Sequence, residues 1–266
     1  MEGCDTVFHL AARVHERSAG HDAEDRIVNV EGTRNVLSAA VACGYARFVF
    51  HSSVKAMGED GAECLDESSP EDPRTSYGRS KLEAERLVLE TGRTSGMHVA
   101  CLRPPLVYGA GARGNLERMI GAIDRGFFPP LPETRNRRSL VHVENLADAA
   151  LLVATRPDAS GQCYLVTDAH PCSTRALYEM IVRGLGRKIP RWTVPLRILE
   201  SLARAGDAAR IVSGRPVPFD TDALRKLIES SWYSSAKITR ELGYRPRRAL
   251  DEALPELIAR YRTTWA

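Results

Sequence analysis

The stretch Arg47-Phe48-Val49-Phe50-His51-Ser52-Ser53 limits the possible folds of this chain more than any other. It is a short apolar run that ends in two hydroxyl groups, which is typical of a buried strand in a parallel sheet. Further apolar runs at residues 6–10, 97–103 and 163–166 also predict strands. Open α/β sheets bind ligands at the carboxyl ends of their strands. We therefore expect Ser52 and Ser53 at a ligand-binding edge.

The segment Ser76-Tyr77-Gly78-Arg79-Ser80-Lys81 places a tyrosine four residues before a lysine. On a helix, residues at this spacing lie on one face, one turn from each other. Because the ordinary pKa of tyrosine is about 10, a tyrosine that acts as a base at neutral pH needs a nearby cation. The spacing therefore predicts that Lys81 lowers the pKa of Tyr77.

A second pair with the same spacing is Tyr233 and Lys237. No apolar strand ending in hydroxyl groups precedes Tyr233, and Ser234 or Ser235 is better explained as the cap of the helix that runs to Gly243. Context therefore favours Tyr77 and Lys81 as the functional pair.

With these residues in place, the chain resembles the short-chain dehydrogenase/reductase superfamily, in its extended branch of NAD-dependent sugar-nucleotide epimerases and dehydratases. The matching segments occur in the family's order along nearly the whole chain: His9–Ala12, Asn29–Thr33, Phe48–Ser53, Tyr77 with Lys81, Leu102–Gly109, Arg138–Val143, and Lys237–Pro246.

The resemblance implies an α/β fold with a Rossmann-like doubly wound parallel sheet and a smaller, mostly helical substrate-binding region. In the family, residues 6–10 form the fourth strand, so the sheet is expected to lack its first strands. Residues 1–109 are expected to form a partial dinucleotide-binding domain, with a substrate-region loop and helix at 110–136. Residues 137–170 are expected to return to the dinucleotide-binding domain, and residues 171–266 to form the C-terminal substrate-binding region.

The family's Gly-x-x-Gly-x-x-Gly turn, which holds the cofactor pyrophosphate, does not occur in this sequence. The segment Gly109–Gly114 formally reads Gly-x-Gly-x-x-Gly, but no second apolar strand is expected within a unit of ~30 residues, so we interpret it as a loop. The chain is therefore a fragment or a wrongly started gene product, or another polypeptide supplies the missing half, or tight dinucleotide binding has been lost. The sequence favours the first explanation.

By resemblance, the catalytic residues are Ser53, Tyr77 and Lys81, with Ser53 orienting the substrate oxygen and Lys81 contacting the nicotinamide ribose. The cofactor, NAD or NADP, is expected beside Leu10, Ala11, Ala12, Asn29, Ser52, Tyr77, Lys81, Pro104 and Val107. The substrate is expected at Ser53, Asn115 and Arg138. Arg138 is expected near the nucleotide diphosphate because a planar guanidinium suits phosphate recognition.

Composition excludes several other classes. The net charge is only +3 and the basic residues are scattered, which does not indicate nucleic-acid binding. No apolar run approaches the ~20 residues of a membrane span. Six cysteines without Cys-x-x-Cys or zinc spacing favour a reducing cytoplasm and no metal site. By resemblance, the helices at 24–43 and 77–90 are expected to pair with their copies in a homodimer.

The expected reaction is hydride and proton transfer at C4 of a nucleotide-linked (UDP-) sugar. Dehydratases of the family carry Asp-Glu after the catalytic hydroxyl, whereas this chain carries Val54 and Lys55, so elimination of water is disfavoured. The segment 52–59 resembles 4-epimerases and 4-ketoreductases of bacterial polysaccharide biosynthesis. Two alternatives stay open: a reductase of a non-sugar carbonyl, of the hydroxysteroid or flavonol type, and an inactive interaction domain.

Overall fold

The computed structural model describes residues 4–14, 22–58, 63–111, 114–215 and 217–265. Along the chain the elements are β1 (Thr6–His9), α1 (Asp22–Arg26), a π-helical turn (Ile27–Glu31), α2 (Gly32–Ala42), β2 (Arg47–His51), α3 (Ser76–Ser95), β3 (His98–Arg103), β4 (Leu106–Tyr108), α4 (Asn115–Asp124), β5 (Leu140–His142), α5 (Val143–Thr155), β6 (Gln162–Leu165), α6 (Thr174–Gly184), α7 (Leu196–Ser213), α8 (Thr221–Ile228), α9 (Ala236–Leu242) and α10 (Leu250–Trp265).

The central sheet is parallel and has the strand order β1-β2-β3-β6. His9 pairs with Phe50, and Phe50 with Cys101, so the carboxyl ends of β1, β2 and β3 meet at one edge. The predicted strands are confirmed with small shifts at their ends. Ser52 and Ser53 follow β2 directly, as the apolar run predicted.

Helices cover both faces of the sheet, and successive side chains of each strand point to opposite faces. Phe48 and Phe50 pack against α2 and α3, while Val49 faces α5 and α9 on the other side. All three side chains are fully buried. This arrangement confirms the doubly wound architecture.

The helix predicted over residues 24–43 is not regular. A π-helical turn at Ile27–Glu31 separates α1 from α2, and Asn29 at its centre is buried. The Asn29 side chain bonds groups on two other segments, described below, and sequence spacing alone does not reveal such an inserted turn. The predicted end of the helix is confirmed at Gly44, which has a φ of 71°.

A second, two-stranded sheet joins β4 to β5 in parallel. The Gly109–Gly114 turn lies between β4 and α4, with Ala112 and Arg113 outside the described residues. A unit of the Gly-x-Gly-x-x-Gly type would have its second strand within ~30 residues of Gly109. β5 begins at Leu140, just beyond that distance, and pairs in parallel with β4. A Cβ atom on Gly109 would lie 2.6 Å from a methyl group of Val143, so this glycine permits close packing.

The C-terminal part is mostly helical. One apolar cluster joins α4, α6 and α10, and a smaller one joins α7, α8 and the segment around Leu131. Among the described residues, no helix has the length and the apolar character that crossing a bilayer requires.

Candidate active site

The strand-to-turn junction after β2 presents Ser53. Its backbone is extended, with φ −160° and ψ 152°, and it caps a short 3₁₀ turn at Val54–Ala56. The Ser53 hydroxyl oxygen accepts a hydrogen bond from the Lys55 N–H at 3.2 Å. The Val54 N–H donates to the Pro104 carbonyl at 3.1 Å, which ties this turn to the end of β3.

The start of α3 is pressed against this turn. Thr75 caps the helix, and its hydroxyl accepts from the Gly78 N–H at 3.0 Å. A Cβ on Gly78 would lie 2.3 Å from the Lys55 carbonyl oxygen, so only glycine allows the two backbones to approach this closely. Glycine after the tyrosine therefore brings Tyr77 to the end of β2.

The Ser53 side chain lies close enough to the Tyr77 hydroxyl to lower the pKa of Tyr77. Tyr77 is buried, with 7% of its surface exposed. Burial raises the pKa of Tyr77 to about 12, the Ser53 side chain acts in the opposite direction, and the nearby Asp25 carboxylate also raises it. The pKa of Tyr77 is therefore raised, whereas the sequence predicted that it would be lowered, because burial has the largest effect.

Lys81 lies one helical turn beyond Tyr77 and is 1% exposed. Its ammonium group donates to the His51 carbonyl at 2.5 Å and lies 4.1 Å from the centre of the Phe50 ring. Burial lowers the pKa of Lys81 to about 8, and the carboxylate of Glu85 partly opposes this. Lys81 is therefore held at the end of β2 by a backbone carbonyl.

Asn29 connects the end of β1 to α3. Its side-chain oxygen accepts from the Arg13 N–H at 2.8 Å, and its amide donates to the Arg13 carbonyl at 3.2 Å and to the Ser80 hydroxyl at 2.9 Å. The Ser80 hydroxyl in turn donates to the Tyr77 carbonyl at 2.8 Å. Asn29 thus supports the helix that carries Tyr77 through Ser80 rather than by direct contact.

His9 and Thr33 lie beside this group. The Thr33 hydroxyl donates to the Asn29 carbonyl at 2.6 Å, so His9 Nε2, 3.0 Å from that hydroxyl, must be the donor of the second bond. Burial and the charge of Lys81 lower the pKa of His9. This histidine is a packing residue, stacked on Phe50.

A buried ion pair that was not predicted from the sequence lies behind the site. Arg103 donates to both carboxylate oxygens of Glu85, at 2.9 Å and 2.5 Å, and the two side chains are 4% and 1% exposed. Arg103 also donates to Glu71 at 2.5 Å. Glu85 comes four residues after Lys81, so the spacing could have placed Glu85 on the buried face of α3, but no sequence signal identified Arg103 as its partner.

The residues at the predicted cofactor edge fit the nicotinamide end of a dinucleotide. The Ser52 hydroxyl is buried and has no hydrogen-bonding partner among the described residues, which is unusual for a buried polar group. Leu10 and Ala11 are exposed where β1 ends, and Pro104 follows β3 at the same edge. Val107 lies in β4, half-buried. The unpartnered Ser52 hydroxyl follows the carbonyl that holds Lys81, and together with the exposed Leu10 and Ala11 it suits a polar ring and its ribose.

The two remaining predicted substrate residues lie apart from this group. Asn115 is exposed and begins α4. The Arg138 guanidinium donates to the Lys226 carbonyl, and its backbone pairs with Cys172. No described hydrogen bond joins either residue to Ser53 or Tyr77.

The second tyrosine and lysine pair makes structural contacts. The Tyr233 hydroxyl donates to the Gly58 carbonyl at 3.1 Å, and its ring packs against Val54 and Met57. The Lys237 ammonium donates to the Cys163 carbonyl at 3.1 Å. These groups hold the turn after β2 and strand β6.

A tyrosine and a lysine one helical turn apart, beside a strand-end serine at the carboxyl edge of a doubly wound sheet, define a short-chain dehydrogenase/reductase. The profile of the NAD dependent epimerase/dehydratase family matches residues 1–166. This chain belongs to that family.

Its relatives include sugar and steroid enzymes. The chain is 34% identical over 209 residues to a UDP-glucose 4-epimerase of Vibrio cholerae, a match that covers 74% of this chain and 62% of that protein. It is 29% identical over 276 residues to a 3 beta-hydroxysteroid dehydrogenase/Delta 5-->4-isomerase of Mycobacterium tuberculosis, over 98% of this chain and 74% of that protein.

A crystal structure of UDP-glucose 4-epimerase with UDP-glucose from Thermotoga maritima superimposes with a TM-score of 0.76 at 21% identity. The superposition covers 98% of this chain and 78% of the other. At this identity the likeness establishes the fold.

Proposed function

We propose that this protein is an NAD- or NADP-dependent oxidoreductase or epimerase that acts at C4 of a UDP-linked sugar. The observation that carries the proposal is that Ser53, Tyr77 and Lys81 meet at the sheet edge, where Gly78 packs against the turn after Ser53 and the Lys81 ammonium bonds the His51 carbonyl. The family and the similarity to a UDP-glucose 4-epimerase support it.

In the proposed mechanism, Tyr77 takes the proton of the C4 hydroxyl, and Ser53 donates a hydrogen bond to the same oxygen. When bound, the nicotinamide supplies the hydride acceptor, and its positive charge favours the tyrosine phenolate. Lys81 would bind a ribose hydroxyl of the cofactor and stabilise that phenolate. Ser52 and the residues at the end of β1 would hold the nicotinamide end of the cofactor.

For the substrate, we propose that Arg138 and Asn115 bind the nucleotide diphosphate. Arg138 follows Arg137, and a guanidinium can bind two phosphate oxygens at once. We also propose a homodimer through α2 and α3, and a reducing cytoplasm, which the six free thiols suit.

The second candidate is reduction or oxidation of a non-sugar carbonyl or alcohol. The similarity to a hydroxysteroid dehydrogenase, which extends over 98% of this chain, favours it. The same Ser53, Tyr77 and Lys81 chemistry would serve, and the diphosphate-binding arginine would have no role.

The test measures reduced cofactor and sugar products after the full chain is mixed with NAD or NADP and UDP-glucose or UDP-N-acetylglucosamine. We expect turnover by the wild type, loss of at least about 100-fold in Tyr77→Phe, and little change in Tyr233→Phe, the matched tyrosine of the second pair. Equal activity in wild type and Tyr77→Phe contradicts the proposal. Loss of UDP-sugar binding in Arg138→Ala, but not in Arg137→Ala, separates the sugar substrate from the steroid alternative.

A further inference from the structure

Helix α7 carries an apolar stripe on its exposed side. The stripe residues follow one another at intervals of four and three, so they line one face of the helix: Ile198, Leu202, Ala205, Ala209 and Val212. Ile198 is 50% exposed, Leu202 54% and Val212 89%. Ile211 beside Val212 is 81% exposed, and Trp192 just before the helix is 63% exposed. We call these seven residues the α7 surface.

The fold uses the opposite face of the helix. Leu199 and Ala203 are buried in the cluster with Leu131 and Leu224, and the backbone of Phe219 fits against Gly206. The α7 surface therefore contributes nothing to this cluster. Exposed apolar side chains that are contiguous on one helix face usually mark an interaction site.

The same segment is strongly basic. Residues 187–215 contain seven arginines and lysines and two acidic residues, a net charge of +5, whereas the rest of the chain has a net charge of −2. Arg191, Arg197 and Arg204 are exposed, and within the described residues they form no salt bridge. Arg197 and Arg204 are two helical turns apart and flank the stripe on one side.

We propose that the α7 surface binds an anionic phospholipid membrane, with α7 lying in the plane of the interface. An amphipathic helix with arginines beside aliphatic side chains and a tryptophan has the composition of such elements. The arginine stems can lie along the acyl chains while their guanidinium groups reach the lipid phosphates.

A second copy of the chain is a poorer occupant of this surface. In a two-fold dimer the same basic patch lies on both sides of the interface, so the arginines of one copy would approach those of the other and repel them. Anionic lipid neutralises these charges. The proposal does not depend on the catalytic assignment.

The experiment is co-sedimentation of the full chain with vesicles of phosphatidylcholine alone and with vesicles containing about one third phosphatidylglycerol. We expect binding to the anionic vesicles only, weakened by salt. Replacing both Arg197 and Arg204 by glutamine should lower the partition coefficient by about 25-fold, about fivefold for each charge. The matched control is Arg156→Gln, an exposed arginine beside α5 that should leave binding unchanged.

Two further variants test the apolar contact. Leu202→Ser with Val212→Ser should abolish binding, whereas Leu151→Ser, which changes a leucine of α5 with 58% exposure, should not. Circular dichroism and thermal melting establish that each variant is folded. Absence of vesicle binding, equal binding to neutral and anionic vesicles, or binding that survives both pairs of α7 substitutions would overturn the proposal. Self-association without lipid that the double serine variant abolishes would instead identify a second copy as the occupant.

Discussion

Ser53, which follows β2, lies beside Tyr77 at the start of α3 and lowers the pKa of the tyrosine hydroxyl. Burial has the larger effect and raises the pKa of Tyr77. Ser53→Ala should therefore raise the pKa of Tyr77 further and remove a hydrogen bond to the reacting oxygen. We expect turnover of Ser53→Ala to be lower than that of the wild type by about 100-fold or more. Ser53→Thr, which keeps a hydroxyl, should retain a large part of the wild-type turnover. An alanine variant as active as the threonine variant would show that the hydroxyl is not used.

Gly78 should not tolerate a side chain. The new Cβ of Gly78→Ala would lie 2.3 Å from the Lys55 carbonyl oxygen. The backbone at Lys55 could move away from this Cβ only by displacing Ser53 from Tyr77. We expect a loss of about 1–3 kcal/mol in the free energy of unfolding, measured by urea denaturation, together with loss of turnover. The control is Gly32→Ala, where the nearest atom lies 3.9 Å away and alanine should stabilise the helix.

Removal of Glu85 should be costly because Arg103 would be left buried with only Glu71, whose side chain is 34% exposed, as its partner. Breaking a buried pair of this kind typically costs about 3–5 kcal/mol, and we expect Glu85→Gln to fall at the lower end. Glu90→Gln, which breaks the exposed pair with Arg93, should cost far less. Similar losses in the two variants would contradict the importance of burial here. Glu85→Gln with Arg103→Met should recover part of the stability.

His51 should make the folded state sensitive to acid. Burial, the charge of Lys81 and the neighbouring His9 lower the pKa of His51 from 6.5 to about 4. Between these values the unfolded chain binds a proton that the folded chain does not, so stability falls as the pH decreases from 6.5 towards 4. The loss attributable to His51 is at most about 3 kcal/mol.

Urea denaturation of wild type and His51→Gln between these two pH values checks this. We expect the difference in free energy of unfolding between the two proteins to change across this range in favour of the variant. The exposed His170→Gln should follow the wild type. Parallel pH curves for wild type and His51→Gln would refute the assignment.

The apolar runs predicted the parallel strands, and the four-residue spacing predicted the common helix face of Tyr77 and Lys81. Both signals are contained within a few consecutive residues. The positions of Lys81 and Arg103 could not be predicted in the same way. The Lys81 ammonium lies on the carbonyl of His51, thirty residues earlier, and the Arg103 guanidinium on Glu85, eighteen residues earlier. These contacts depend on how closely α3 packs against the sheet. Gly78 is the one residue in the sequence that indicates this close packing. Its role becomes clear only from the short distance between Gly78 and the Lys55 carbonyl oxygen.

The π-helical turn at Ile27–Glu31 also constrains how the length of this segment can vary. A helix advances by about 100° for each residue, so deleting one residue here would rotate everything that follows relative to what precedes. Either Asn29 would turn away from Arg13 and Ser80, or Leu37 and Ala40 would leave the core. We therefore expect insertions and deletions to be rejected between residues 27 and 31, even where single substitutions on the outer side are accepted.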